Sequence, residues 1–292
     1  MTRMVFATWG GWGAKADRPR LHAGGMARGV DAVLATRAYP KEITHCTDYA
    51  RLLPGAVDLW LDSGAFTAWK GGEMFNVKDY VTYIKSILPT LKVFRRVFVI
   101  SLDKIPGTPG KPVSATEIAA AIDETLNNTQ YLLSQGIEVV PIHHQGEPLW
   151  VMEQYLKLCE YVGISPANDS PQKTRIAYVR SLIPLFKSEQ PIHPAHNFGN
   201  TPASQLTQFP MYSADSQTWR MRTMTFGEAF DLQIFGQKNR GRNLITSHRA
   251  KQDPITVLLE NVTVIKKFES DLQKLWAHRG ITWREPKGID LT

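Results

Sequence analysis

The stretch VDLWLDSGAFTAWKGG, residues 57–72, decides the fold. It runs mostly apolar to Leu61 and then breaks into Asp62, Ser63 and Gly64. A short apolar run bounded by turn residues is a strand candidate. A strand that merely turned would do as well with Asn-Gly or Pro-Asp-Gly. Asp62 is therefore either turn chemistry or reaction chemistry, and the rest of the chain has to decide. Six further runs have the same character: MVFATW (4–9), RVFVISLD (96–103), IEVVPIHH (137–144), YVGIS (161–165), PIHPAHNF (191–198) and MYSAD (211–215).

Between several of these runs lie amphipathic segments with caps. Asn76 opens NVKDYVTYIKSIL, with Asp79 in the first turn. Ser114 and Glu117 make an S-x-x-E capping box before IAAAIDETLNNTQYLLSQG, which Gly136 closes. Ser170-Pro171 opens QKTRIAYVRSLIPLF, with proline at the first helical position. Alternating strand and helix predicts a parallel sheet, and nearly continuous apolar strands predict that both its faces are covered. The length of 292 residues suits one (β/α)8 TIM barrel over the whole chain, residues 1–292. No G-x-G-x-x-G follows the first strand, which argues against an open dinucleotide-binding sheet. A terminal helix is expected from about 255 to 278, packed on the barrel through Val257, Leu258, Val262, Ile265 and Leu272.

Composition narrows the partners. Hydrophobic residues make up 43% and charged residues 21%, an ordinary globular balance. No apolar run is long enough to cross a bilayer, so no membrane partner is expected. The first residues lack the apolar segment of a secretory signal, which predicts a cytoplasmic protein. Cys46 and Cys159 are too few for a disulfide framework or a Cys-rich zinc site. The net charge is +7, which suggests a polyanion as partner. Its excess concentrates in a basic insertion, about 217–251, where Arg220, Arg222, Lys238, Arg240, Arg242, Arg249 and Lys251 face only Glu228 and Asp231. Trp219 and Trp69 are candidates for stacking on a base, and Trp9, Lys15, Arg18 and Arg20 offer a second contact loop.

The strand ends then line up. They carry Asp62, Asp103, Gln145-Gly146-Glu147, Ser165, His196-Asn197 and Asp215. In a parallel barrel the C-terminal strand ends open on one face, and that face holds the active site. Two carboxylates across a sugar support double displacement: one attacks the anomeric carbon and the other moves a proton. A third can accept from the N–H groups of a base. The competing reading is a metal-dependent hydrolase using His144 and His196. It is weakened because neighbours on a strand face opposite ways, as do residues three apart, so neither His143/His144 nor His193/His196 can share the interior. A third reading is a non-catalytic nucleic-acid-binding barrel.

LDSGAFTAW resembles the D-S-G-G-F-Q signature of the tRNA-guanine transglycosylase family. SLDKIPG, PIHHQGEP, YVGISP, HNFGNT and MYSADS follow in the family's order, covering about 59–219. Within the family the chain looks most like the DpdA-type phage enzymes that place 7-deazaguanines in DNA, which would put it in the cytoplasm of an infected bacterium. The resemblance implies a base-exchange transglycosylase, with DNA as polymer, tRNA as runner-up, and a 7-deazaguanine such as preQ0 or preQ1 as incoming base. Asp215 would be the nucleophile and Asp62 the general acid/base. Asp103 would bind the N1–H and exocyclic amine, Gln145 and Gly146 would contact the O6 side, and Gly163 would line the pocket. Ser63 and Phe66 would flank the base, with Gly64 letting the backbone approach it. His196, Phe198 and Gly199 match a loop near the ribose. The family's cysteine cluster is absent, so no metal and no cofactor is expected, and the subdomain that zinc would staple must be held otherwise, through WRMRTMTFGEAF on the terminal helix. Ala65 and Thr67 depart from the signature, which bears on base preference. Relatives often form homodimers through the zinc region, and that region is changed here.

Overall fold

The computed structural model describes residues 2–10, 15–73, 75–108, 111, 113–167, 170–232, 245–249 and 252–291, with the backbone alone at 15, 231–232 and 245–249. Nine parallel strands form one sheet: β1 (Arg3–Ala7), β2 (Ala32–Thr36), β3 (Asp58–Asp62), β4 (Arg96–Ile100), β5 (Val139–Val140), β6 (Ile142–His144), β7 (Val162–Ser165), β8 (Ala195–Asn197) and β9 (Ser213–Ser216). The hydrogen-bonding order is β5-β4-β3-β2-β1-β9-β8-β7-β6. Only Pro141 separates β5 from β6, the two ends of that order. Proline lacks a ladder donor, so one strand is split: its first half pairs with β4 and its second with β7. Counted as one, β5/β6 closes the sheet on itself, and the architecture is a (β/α)8 barrel.

Helices cover the outside. They are α1 (Arg18–Ala27), α2 (Pro40–Arg51), α3 (Ala65–Gly71), α4 (Val77–Leu91), α5 (Ala115–Ser134), α6 (Leu149–Leu158), α7 (Gln172–Phe186), α8 (Ala203–Leu206), α9 (Thr218–Phe226) and α10 (Pro254–His278). The expected caps form. Asn76 accepts from the Lys78 amide, and Ser114 and Glu117 satisfy each other reciprocally. Pro171 is the cap of α7 and not its first residue, one position earlier than predicted. The strand β2, AVLAT, stands where no strand was expected. Its two alanines weaken the β signal, and burial between β1 and β3 supplies what propensity does not.

The basic insertion runs through α9 into an antiparallel pair, β10 (Glu228–Leu232) with β11 (Ile245–Arg249). Its connection, with Lys238, Arg240 and Arg242, lies outside the described residues, as does Lys251. Asn261 of α10 ties this region down. Its side-chain amide donates to the Glu228 carbonyl and the Thr223 hydroxyl, at 3.1 and 2.7 Å, and its oxygen accepts from the Phe230 amide at 2.6 Å. WRMRTMTFGEAF therefore does pack on the terminal helix. Val257, Leu258, Val262, Ile265 and Leu272 are all buried.

Partners across a parallel ladder share a face. Leu34, Trp60 and Phe98 are in register, as are Gly163, His196 and Ser213. These sets face the interior: Trp60 Nε1 reaches across the barrel to the Tyr161 hydroxyl at 3.2 Å. The N-terminal end of the barrel is closed by charge. Asp58 is fully buried and accepts from Arg3, from Arg95 at 2.8 Å and from Arg96 at 2.6 Å. The tail runs beneath this end, where Gly288, at φ +78°, passes so close that a Cβ would lie 2.6 Å from the Val97 carbonyl oxygen. Charge at the bottom stabilises the barrel and leaves the C-terminal face for chemistry.

Candidate active site

The interior alternation carries Asp62 and Asp215 to the same face as Trp60 and Ser213, one pleat closer to the C-terminal mouth. Asp215 is buried and held from two sides. The Gly199 amide donates to its Oδ1 at 2.8 Å, and His196 Nε2 lies 3.2 Å from the same oxygen. His196 is fixed in turn by Ser213 Oγ, 2.5 Å from Nδ1, and Ser213 bonds the Tyr161 hydroxyl. Phe198 meets the His196 ring edge-on at 4.2 Å. An acceptor with its orientation fixed this way presents its second oxygen in one direction.

Asp62 has a different setting. Its register partner is Thr36 at the end of β2. Burial pushes its carboxyl up to about 6, and the charges of Asp103 and Asp215 add to the rise, against hydrogen bonds from the Thr36 hydroxyl and the Gly64 amide. A carboxyl raised toward neutrality beside two other carboxyl groups is suited to giving and taking a proton. Behind it lies Glu42, buried on α2, whose carboxylate accepts from the Thr36 amide at 3.4 Å. Burial pushes Glu42 up to about 7, and the charge of Asp62 adds to it against the Thr36 hydrogen bond and Arg220.

Asp103 follows β4 and accepts from His144 Nε2 at 2.8 Å. Burial alone would lower His144, but the hydrogen bond and charge of Asp103 outweigh it and raise the imidazole above its ordinary value. Asp103 also lines a cavity of about 600 Å³ between α3 and the segment after β4, walled by Trp69, Phe75, Lys104 and Asn128. The strand rule holds for His143 and His144, which lie on β6, and does not apply to His193, which precedes β8. His143 points outward and stacks on Tyr178 of α7, where burial lowers it to about 4. His193 is buried outside the strands, 3.1 Å from the Cys159 carbonyl. Among the described residues no group of three or more His, Cys, Asp or Glu side chains is arranged to hold a metal ion.

Several candidates occupy other positions than expected. Gly64 is the left-handed cap of α3, φ +80°. The close approach it permits is to Ala38 and Phe75, where a Cβ would lie 3.0 Å from the Ala38 amide and 3.2 Å from the Phe75 ring. Ser63 is fully buried, and its hydroxyl accepts from the Ala65 amide at 3.4 Å. Gly163 faces inward but makes room for Phe198, whose ring a Cβ would meet at 2.4 Å. Gln145 spends both ends of its amide on the loop after β7, donating to Ser170 Oγ at 3.1 Å and accepting from the Ala167 amide at 3.2 Å. Gly146 follows at φ +107°. Phe66 is 58% exposed at the mouth side of α3.

Trp219 and Trp9 are corrected, whereas Trp69 stays half-buried in the cavity wall beside Asp103. Trp219 is buried, stacked on Trp9 at 5.6 Å and edge-on to Phe6 at 5.4 Å, so its ring is spent on the core. Trp9 is fully buried in the same cluster, and Trp69 donates to the Gly107 carbonyl at 2.9 Å. Arg220 is buried near Glu42 and does not present a surface cation; Arg222 is exposed and pairs with Glu228 at 2.9 Å. Arg20 pairs with Asp253 at 3.0 Å. Sequence reasoning missed Thr36, Glu42, Tyr161 and Ser213. Two of them had a signal: Ser213 lies two residues before Asp215, on the same strand face, and Tyr161 lies two before Gly163.

Fold and site together define a (β/α)8 barrel with three carboxylates and two carboxylate-paired histidines gathered at its C-terminal mouth. No family model matches the chain, and no curated protein matches it. No helix among the described residues is long and apolar enough to cross a membrane.

Proposed function

We propose that the protein is a base-exchange transglycosylase that replaces guanine in DNA with a 7-deazaguanine of the preQ0 or preQ1 kind. The observation that carries the reading is the division of labour between Asp215 and Asp62. One carboxylate is aimed by an amide and an imidazole, and the other is raised to about 6 beside it. Asp215 attacks C1′ of the target nucleotide, and the C1′–N9 bond breaks as the aspartyl–sugar bond forms. Asp62, protonated, gives its proton to the leaving guanine and is left as the carboxylate. It then takes the proton from N9 of the incoming base as that nitrogen attacks C1′ and releases Asp215. The sequence of steps consumes no metal, oxidant or cofactor. Asp103 accepts from the N–H edge of the base. The order of motifs along the strand ends, resembling the tRNA-guanine transglycosylase family, supports the same reading.

DNA is favoured over tRNA because the resemblance is nearest to the DpdA type and the cysteine cluster is missing. The net charge of +7 fits either polymer. A base stacked in a duplex is out of reach, so the nucleotide must be flipped out or single-stranded. The test is to incubate the protein with a labelled 7-deazaguanine and, separately, DNA and tRNA, and to measure label in each polymer. Label entering DNA and lost with Asp215→Asn is the expected result. Label confined to tRNA moves the polymer assignment. Transfer that survives Asp215→Asn removes the nucleophile, and no transfer to either polymer rejects the exchange reaction.

A further inference from the structure

We propose that Tyr161 is a positioning residue for base exchange: acting through Ser213, it fixes which nitrogen of His196 carries the hydrogen, so that Asp215 meets a neutral N–H donor. The role of Asp215 as nucleophile rests on the base-exchange reading; the placement of the hydrogen does not.

One chain of side chains carries it. Trp60 Nε1 donates to the Tyr161 hydroxyl at 3.2 Å, and that hydroxyl bonds Ser213 Oγ. Ser213 Oγ lies 2.5 Å from His196 Nδ1, and His196 Nε2 lies 3.2 Å from Asp215 Oδ1. All five residues are buried. The two ends set the direction, because an indole nitrogen only donates and a carboxylate only accepts. The phenol oxygen is filled by Trp60, and its own hydrogen goes to Ser213. Burial raises the Tyr161 hydroxyl above its ordinary range, so it keeps that hydrogen. The reverse direction would leave the Tyr161 hydrogen with no acceptor. Ser213 then gives its hydrogen to Nδ1, and the ring hydrogen sits on Nε2, aimed at Asp215.

The hydrogens match the bonds only this way. Four bonds join the five side chains, and with a neutral His196 they share four hydrogens, one to each bond. A second ring hydrogen would strand a buried N–H or O–H without an acceptor, which is costly. The titratable groups that face the chain are Asp215 and, beyond it, Asp62 at the mouth, with Arg3 and Tyr212 on the Tyr161 side. The two carboxyl groups favour a second ring hydrogen, and the bond count opposes it. A neutral N–H orients Asp215 without a full positive charge to weaken its attack.

The experiment is side-chain NMR of the full chain with nitrogen-labelled histidine, at about pH 7.5, above the ordinary imidazole value. His196 is identified by the loss of its signal in His196→Gln. The wild type is expected to show hydrogen on Nε2 and a bare Nδ1. Tyr161→Phe keeps the ring and removes the oxygen. Ser213 can then turn its hydrogen into the vacated space and accept from Nδ1. Rings with hydrogen on Nδ1 are expected to rise by about tenfold, the size of one buried hydrogen bond. In labelled-base transfer the same variant is expected to lose about tenfold or more in kcat, as a misplaced ring hydrogen does elsewhere. Hydrogen on Nδ1 in the wild type, alone or together with Nε2, overturns the proposal. So does a Tyr161→Phe spectrum that matches the wild type, or a changed spectrum with an unchanged kcat. If the variant does not fold, as judged by circular dichroism, the wild-type spectrum still decides. Absence of transfer by the wild type rejects the base-exchange reading itself, an outcome distinct from a hydrogen found on the wrong nitrogen.

Discussion

Gly163→Ala is a single methyl placed at the centre of the site, and its consequence can be worked from distances. The new Cβ would lie 2.4 Å from Phe198 Cε2 and 3.1 Å from Cδ2, with the Pro141 carbonyl at 3.4 Å. Carbon atoms settle at about 3.5–4.0 Å, so the ring has to retreat by about 1 Å. Phe198 is only half-buried and gives way, but its edge rests on His196 at 4.2 Å, and His196 aims Asp215. Overpacking of this kind costs about 1–3 kcal/mol. For a chain of this size that is a fall in melting temperature of about 2–12 °C. Base exchange should suffer more than stability, by at least about tenfold in kcat, because a misplacement of about 1 Å at a reacting group is worth that or more. Gly71→Ala is the control. That glycine ends α3 with ordinary backbone and nothing within 4 Å of a Cβ, so it should melt at or above the wild-type temperature with exchange unchanged. The assays are a thermal melt and the labelled-base transfer. If Gly163→Ala melts with the wild type and transfers at the wild-type rate, then Phe198 does not sit over residue 163 and the aiming of Asp215 through His196 is wrong.

Other outcomes follow from the same geometry. Asp62 is raised in the folded state above its unfolded value, so the native protein binds more protons between about pH 4 and 6, and stability is lost as pH rises through that window. Asp62→Asn should therefore be more stable than the wild type above pH 6, by up to about 3 kcal/mol, and equal to it below about pH 4, while exchange is blocked; equal urea midpoints at pH 8 would count against it. Asp58→Asn leaves Arg3 buried without its carboxylate and should cost about 3–5 kcal/mol in chemical denaturation, with less than about 1 kcal/mol disproving the network's role. Cys46 and Cys159 are buried, and burial pushes the Cys159 thiol up to about 12, so neither should react with a thiol reagent until denaturant is added.

Much of the barrel was legible because its signals are local. The caps at Asn76 and Ser114, the stripe of the terminal helix and the polar strand ends each depend on residues a few positions apart. The strand β2 escaped for the same reason: AVLAT has little local β preference, and its identity comes from pairing with β1 and β3. Its loss hid Thr36, the residue in register with Asp62, and with it Glu42 behind. Trp9 and Trp219 were misjudged because aromatic rings near strand ends look alike in sequence. Which of them reaches solvent depends on what packs above, and Trp9 and Trp219 pack on each other.

By itself, the sequence determined the alternation of strand and helix, the opposite facing of His143 and His144, and the presence of carboxylates where strands end. Those follow from backbone periodicity, which every residue carries with it. Tertiary structure alone decided the pairings: His144 with Asp103, His196 with Asp215, Gln145 with the loop after β7, and Phe198 in the space left by Gly163. These join residues 19 to 41 positions apart. Such contacts are set by barrel closure, which Pro141 allows by splitting one strand between two neighbours.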